Sequence, residues 1–146
     1  MTQGMTALGS FMFNKQNADD SLQFNLARQG EGYRISRNFK LREAQSRCGA
    51  DIIYIHPATL VLAQTLRDEF GPIQINSWFR TVYHNSTVGG SENSKHLLGM
   101  AIDVDPKNAS LEEIKAYAEI LNVGGIGLYE EFVHLDTYGE NRRWRG

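Results

Sequence analysis

Short stretches in which apolar and polar residues alternate predict β-strands through the second half of the chain. The clearest stretch covers residues 100–105, where Ile102 and Val104 point to one face and Asp103 and Asp105 point to the other. Such a strand packs its apolar face on a core and presents its carboxylates to a cleft. Alternating or β-branched stretches predict further short strands at residues 52–55, 73–77, 126–129 and 132–136.

Two longer segments repeat apolar residues at helical spacing. The first segment opens at Pro57 and ends before Gly71, since proline suits a first helical turn. The second follows Ser110, which forms a capping box with Glu113 three residues later. We expect this helix to run to about residue 122 and to be ended by the glycines at residues 124–125. A third, short helix is expected within residues 39–46.

The order of these elements predicts an α+β fold with a small antiparallel sheet and two main helices. Residues 1–38 are polar and weakly patterned, and we interpret them as a partly ordered N-terminal extension with a short strand near residues 33–35. Residues 39–146 then form one domain, because a chain of 146 residues suits a single core. The basic residues 142–145 are expected to form a solvated tail.

Composition excludes several classes of protein. The formal net charge of −2 argues against a general nucleic-acid-binding protein, and no apolar run approaches the roughly 18 residues of a membrane span. No Lys or Arg lies within residues 1–13, so we expect no export signal and a protein made in the cytoplasm. A monomer is expected. Cys48 is the only cysteine, so a metal site must be built from histidine and carboxylate side chains.

One such set begins around the strand at residues 100–105. His96 precedes Asp103 by seven residues, and Gly99 between them permits a sharp turn that brings the imidazole to the carboxylate. A hydrolytic zinc site needs three protein ligands and one open position for water. His96 and Asp103 supply two of the three ligands.

His134 is the best third ligand among the remaining histidines, because it lies in the last of the short strands. Zinc hydrolysis also needs a carboxylate that takes a proton from water and delivers it to the leaving amine. Glu131 lies three residues before His134, but it shares the face of His134 only if it precedes the strand. Asp136 already shares that face and is either an alternative base or a partner that orients an imidazole.

Together these residues resemble the zinc D-alanyl-D-alanine peptidase family, whose fold is shared with the hedgehog signalling domain. The matching motifs are Ser94-x-His96-x-x-Gly99-x-Ala101-x-Asp103, then Glu131-x-x-His134, and upstream the segment of residues 77–85. That segment resembles the family's Ser-Gly-Tyr-Arg-Thr-x-x-His-Asn. The family includes muramoyl-pentapeptide carboxypeptidases, D-Ala-D-Ala dipeptidases and phage L-alanyl-D-glutamate endolysins.

The resemblance implies Zn²⁺ bound by the ligands His96, Asp103 and His134, and it implies Glu131 as the general base. It further implies that Arg80 stabilises an oxyanion or binds substrate, and that Ser94 binds substrate near the metal.

Two departures from the family occur at Trp78 and Phe79, where the family has glycine and tyrosine, and we expect them to alter the cleft. Glu130, next to Glu131, is an alternative base. We assign His84 and Asn85 mainly to bracing their loop, and Tyr138 and Trp144 to packing.

The sequence therefore predicts a zinc metallopeptidase that hydrolyses stem or cross-link peptides of peptidoglycan, as a D-Ala-D-Ala carboxypeptidase or an endopeptidase. A wall-cutting enzyme without an export signal is typical of a phage endolysin that is released through a holin. The alternatives are a non-catalytic zinc-binding module and a phage structural component with the same fold.

Overall fold

The computed structural model describes residues 12–146. Its α-helices are Leu26–Gln29 (α1), Pro57–Phe70 (α2), Val82–Thr87 (α3) and Leu111–Ile120 (α4). Its strands are Leu22–Asn25 (β1), Arg34–Ser36 (β2), Phe39–Lys40 (β3), Ile52–Ile55 (β4), Ile73–Ser77 (β5), Ala101–Pro106 (β6), Gly125–Leu128 (β7), Val133–Asp136 (β8) and Arg142–Arg145 (β9). Within this range no helix is long and apolar enough to cross a membrane. Most of residues 1–13, in which we expected no export signal, lies outside the described residues.

The main sheet has five strands in the order β5-β6-β8-β7-β9. Three of its strand pairs are antiparallel, as predicted, but β9 runs parallel to β7. The expectation that residues 142–145 form a solvated tail is therefore wrong. This segment is polar and lacks the alternation that predicts a strand. It is held by backbone pairing with β7 and by an ion pair between Arg143 and Glu119 (Nε–Oε1 2.9 Å).

The other strands of the main sheet, the strands β2 and β4 and both main helices lie close to where the sequence placed them, whereas β1 and β3 were not predicted. The helix α2 begins at Pro57 and is capped at Gly71, and α4 carries the predicted capping box. The C-terminal end of α4 differs from the prediction. Asn122 adopts the left-handed conformation after the helix (φ 58°), which asparagine tolerates, and residue 125 already begins β7. Residues 39–46 form β3 and a 3₁₀ helix, Leu41–Ala44, in place of the short helix expected there.

Both main helices pack on the main sheet and cover its apolar face. The helix α2 contacts β6, while α4 contacts β6, β7 and β8. Ile102 and Val104 of β6 and Leu135 of β8 are completely buried beneath these helices, with Leu62 and Ile114 among the covering side chains. The opposite face of β6 and β8 is left for polar side chains. This mixed α/β structure agrees with the predicted fold class, while the likeness to hedgehog domains remains a prediction.

Residues before the main sheet also join the core. The strand β1 pairs antiparallel with β4, and the side chains of Phe13 and Leu26 are 2% and 3% exposed. The strand expected near residues 33–35 is present as β2. The division of the chain at residue 38 into an extension and a domain stays a prediction.

Candidate metal centre

Sheet register brings two of the predicted ligands together. In the antiparallel pair of β6 and β8, Asp103 lies directly opposite His134, so their side chains project from the same face. That face is the one the helices leave uncovered. Both side chains therefore stand side by side at the floor of a cleft.

His96 reaches the same place from the 3₁₀ helix Lys95–Leu98, just before β6. Ser94 caps this helix, because its hydroxyl accepts a hydrogen bond from the His96 N–H. Gly99 ends it in the left-handed conformation (φ 69°). A Cβ at Gly99 would lie 2.1 Å from the carbonyl oxygen of Tyr54, so only glycine allows this turn to approach β4.

The three side chains converge on one point. Oδ1 of Asp103 lies 3.1 Å from Nε2 of His96 and 3.0 Å from Nδ1 of His134. One potential ligand atom from each residue lies within 4.8 Å of the other two. His96 and Asp103 are 2% and 6% exposed, and the His134 side chain is 12% exposed. Two imidazole nitrogens and one carboxylate oxygen form a donor set of the kind found in catalytic zinc sites.

The outer ring nitrogens fix the orientation of both imidazoles. Nδ1 of His96 lies 2.7 Å from the carbonyl oxygen of Trp78, which can only accept, so Nδ1 carries the proton and Nε2 faces Asp103. Nε2 of His134 lies 2.8 Å from Oδ2 of Asp136 and donates to it, which leaves Nδ1 to face Asp103. Such outer partners orient metal-binding imidazoles in zinc proteins.

Asp136 is completely buried and fully engaged. Besides His134, it accepts two hydrogen bonds from the guanidinium of Arg142, at 2.7 and 3.1 Å, and one from the backbone N–H of Tyr138. Arg142 lies on β9, so the unpredicted strand supports the site. These contacts are those of the orienting partner that the sequence allowed as one of two roles for Asp136.

Protonation of these groups follows from their surroundings. Burial lowers the pKa of His96, despite the opposing effect of Asp103. Burial would also lower the pKa of His134, but hydrogen bonds to Asp103 and Asp136 outweigh it and raise that pKa. Burial disfavours ionisation of Asp103, yet its contacts with His134 and His96 hold its pKa well below the usual range. For Asp136, hydrogen bonds from His134 and Arg142 likewise outweigh burial and lower the pKa. Both carboxylates therefore stay ionised, as metal binding requires.

Arg80 lies beside the three converging side chains. Its Nη2 is 3.5 Å from Oδ2 of Asp103, its Nε donates to the hydroxyl of Ser77, and its Nη1 donates to Oδ1 of Asn85. Asn85 is buried and also donates to the carbonyl of Ser91, so it connects Arg80 to the following loop. Asn85, which was expected to brace its loop, thus also binds the Arg80 guanidinium directly.

An open cavity of about 530 Å³ lies above these residues. Arg80, Ser94, His96, Asp103, His134 and Asp136 all line it. Its walls also include four aromatic residues: Tyr129, Phe132, Tyr138 and Trp144. The sequence analysis assigned the last two to packing, because nothing in their local pattern distinguishes a cleft residue from a core residue.

Three other predicted residues lie away from this cavity. Glu131 is exposed in the turn between β7 and β8, before β8 begins, and it is not among the residues that line the cavity. Trp78 and Phe79 do not line it either. Both are buried and make aromatic contacts with Phe39 and Tyr54 respectively. The side chains at these two departures from the family therefore pack in the interior and form no part of the cavity wall.

Comparison with known proteins gives consistent matches. The family model described as Peptidase M15 matches residues 34–136. The chain is 42% identical over 60 residues to a probable peptidoglycan L,D-endopeptidase MepK of Haemophilus influenzae, covering 40% of this chain and 32% of the relative. It is 32% identical over 80 residues to the peptidoglycan L,D-endopeptidase MepK of Escherichia coli K12, covering 50% and 43%. It is 33% identical over 94 residues to the zinc D-Ala-D-Ala carboxypeptidase of Streptomyces albus G, covering 59% and 36%. The matches thus span less than half the length of each relative.

Proposed function

The chain belongs to the Peptidase M15 family, and from this membership we propose that it is a zinc-dependent peptidase that hydrolyses peptide bonds of peptidoglycan. The observation that carries the proposal is the convergence of two imidazoles and one carboxylate, within 4.8 Å of one another, at the floor of an open cavity. The relatives support the choice of substrate, because their names describe a peptidoglycan endopeptidase and a zinc D-Ala-D-Ala carboxypeptidase.

His96, Asp103 and His134 would hold the zinc ion. The donor set fits, because each imidazole can offer one ring nitrogen to the ion while its other nitrogen is bound to Trp78 or Asp136. Bound in this way, zinc would supply a Lewis acid that polarises the scissile carbonyl and lowers the pKa of water.

Arg80 is the group we propose for stabilising negative charge on the reacting carbonyl oxygen. Its side chain is 17% exposed and is held by Ser77 and Asn85, so the charge is fixed beside the ligands before substrate binds. Ser94 would bind substrate. Its hydroxyl oxygen accepts from the His96 N–H, and its own proton remains to be donated to a peptide carbonyl.

Glu131 is the residue we propose as general base. Asp136 is a poor base, because both of its oxygens already accept hydrogen bonds from His134 and Arg142. Glu131 is exposed, and the turn that carries it begins at Tyr129 and ends at Phe132, which both line the cavity. The Glu131 carboxylate would therefore reach the cavity from its rim when substrate is bound.

The test is digestion of purified sacculi by zinc-loaded protein, with mass spectrometry of the released muropeptides. We expect soluble products whose masses identify the bond, which separates an L,D-endopeptidase from a D,D-carboxypeptidase. Glu131→Gln should keep its zinc and lose about 10²- to 10⁴-fold in rate, the usual contribution of a general base. Asp103→Asn should lose both zinc and activity.

Intact sacculi after incubation with the zinc-loaded wild type would refute the peptidase. A protein that binds sacculi equally well with and without the Glu131→Gln change, and releases nothing, would be the non-catalytic zinc-binding module.

A further inference from the structure

A second cavity of about 280 Å³ adjoins the main one on the far side of Arg80. The two cavities share Arg80, Asp103 and Phe132 as lining residues. The second cavity extends past Arg80 to Arg47 and His84, which do not line the first. A peptide that lies across the candidate metal centre would therefore place a neighbouring group in this second cavity.

The second cavity is rich in positive charge. Two guanidiniums, those of Arg47 and Arg80, and the imidazole of His84 line it, while Asp103 is the only lining carboxylate among the described residues. Asp103 already contacts both candidate zinc-binding imidazoles. The excess of cations here is local, because the whole chain has a formal net charge of −2.

Both guanidiniums are held in place and keep hydrogen-bond donors to spare. Arg47 donates to four backbone carbonyls at 2.8 to 3.3 Å, two of them on β5. Arg80 donates to Ser77, Asn85 and Asp103. Since a guanidinium has five N–H donors, one donor of Arg47 and two of Arg80 have no acceptor among the described residues. Fixed, partly unpaired guanidiniums suit recognition of a carboxylate.

Cations elsewhere in the cleft are already engaged. The ammonium of Lys95 lies 4.2 Å from the ring centroid of Tyr138 and donates to the Asn93 carbonyl. The guanidinium of Arg142 is bound to Asp136 through both of its terminal nitrogens. Arg142 and Lys95 thus already have a carboxylate and an aromatic ring as partners, whereas the two guanidiniums of the second cavity share a single lining carboxylate, Asp103.

We propose that the second cavity, between Arg47, Arg80 and His84, is a subsite that binds a free carboxylate of the peptide substrate. This inference rests on the proposed peptidase function. It makes the enzyme selective for stem peptides that carry an ionised carboxyl group near the scissile bond. Amidation of that group removes its charge and should lower kcat/KM roughly tenfold, the size expected for one charged hydrogen bond at a partly exposed site.

The first test uses zinc-loaded enzyme and defined stem peptides in matched pairs. One pair differs in the C-terminal group, carboxylate or carboxamide, and the other differs in the side-chain carboxyl of the diamino acid. In the wild type one of these pairs should show the tenfold preference, which identifies the source of the carboxylate. Arg47→Gln should reduce that preference to near one, whereas Lys95→Gln, which removes a cation from the other cavity, should retain it. Equal rates on both members of both pairs, or a preference that survives in Arg47→Gln, would overturn the subsite.

A second test does not depend on turnover, so it separates the subsite from the peptidase activity. Acetate is titrated into metal-free protein while the His84 ring resonances, assigned with His84→Gln, are followed by NMR. We expect a saturable shift in the wild type and in Lys95→Gln, and a much weaker one in Arg47→Gln. Thermal melts establish that each variant is folded, and the milder Arg47→Lys replaces Arg47→Gln if the latter is not. A wild-type spectrum that does not respond to acetate would refute the anion site even if the enzyme cleaves peptidoglycan.

Discussion

Each imidazole of the candidate metal centre turns one ring nitrogen toward the site and the other toward a supporting group. His96 faces Asp103 through Nε2 and donates through Nδ1 to the Trp78 carbonyl, whereas His134 does the reverse and donates through Nε2 to Asp136. The group that supports His96 is a backbone carbonyl, so a change of side chain at position 78 does not remove it. The group that supports His134 is a side chain, so Asp136 is the support that mutation can remove.

Asp136→Asn is therefore expected to weaken zinc binding by about ten- to a hundredfold, the usual cost of losing an outer-shell partner. The amide keeps the shape of the side chain but loses the charge that holds the Nε2 proton of His134. Competition with a chromophoric chelator measures the change in affinity. Asp105→Asn is the matched control, because it removes a carboxylate from the neighbouring strand β6, at a site paired with Lys107. Equal zinc affinity in Asp136→Asn and the wild type would contradict the orienting role.

Several site residues could be predicted from the sequence, and the reason is local spacing. His96, Asp103 and His134 stand in short motifs, and the strand alternation around Asp103 indicated the face it shares with a cleft. Arg142 could not be found in this way. Its bond to Asp136 depends on a parallel strand pairing, and no local periodicity encodes which strand a polar segment will join.

At the scale of elements, a buried histidine begins the longest helix. Nδ1 of His56 accepts a hydrogen bond from the Ala58 N–H as the N-cap of α2, so this nitrogen is unprotonated. Nε2 lies 3.0 Å from the carbonyl oxygen of Asn17 and donates to it. Burial lowers the pKa of His56, although the Asn17 carbonyl and the charge of Asp20 oppose this effect. The cap therefore requires a neutral imidazole.

Because of His56, the free energy of unfolding should decrease as the pH falls. Because the pKa of folded His56 is below that of the unfolded chain, about 6.5, the unfolded state binds more protons as the pH falls below that value. The contribution is present above about pH 6.5 and lost below it, by up to roughly 1.4 kcal/mol for each pH unit. Urea unfolding at pH 7.5 and 5.5 tests this, with His56→Asn as a capping residue that does not titrate. The wild type should lose more stability than the variant, and equal losses would count against the prediction.

The limits of an element could be predicted where the residues of that element itself determine them. The strand β4 and the helix α2 match their predicted limits because β-branched residues, a first-turn proline and a terminal glycine specify them. The end of α4 was misplaced, because Asn122 took the left-handed position that the glycines at residues 124–125 were expected to fill. The choice between asparagine and a nearby glycine depends on the strand that follows.

At the scale of the whole molecule, the two faces of the main sheet have different roles. The helices α2 and α4 bury one face of the sheet, and the candidate ligands occupy the other. His96, Asp103 and His134 come from three different segments, so a shared ion would join these segments only when the sheet is intact. Metal binding and folding are therefore expected to be coupled.

Zinc should accordingly raise the midpoint of thermal unfolding. At a free zinc concentration of 100 to 1,000 times Kd the linkage contributes about 3 to 4 kcal/mol, which corresponds to roughly 5 to 15 °C for a chain of this size. Differential scanning calorimetry with zinc and with a chelator measures the shift. Asp103→Asn is the control and should show little response to either. A midpoint that zinc leaves unchanged in the wild type would show that no such ion is bound.

The parallel pairing of β9 with β7 also has a consequence for biosynthesis. Arg142 reaches Asp136 only when the chain has passed the start of β7 and residues 142–145 have docked on the far edge of that strand. A ribosome that has made β6 and β8 has thus produced all three candidate ligands but not yet the clamp on His134. The nascent polypeptide would therefore bind zinc weakly until this strand has emerged from the exit tunnel and docked.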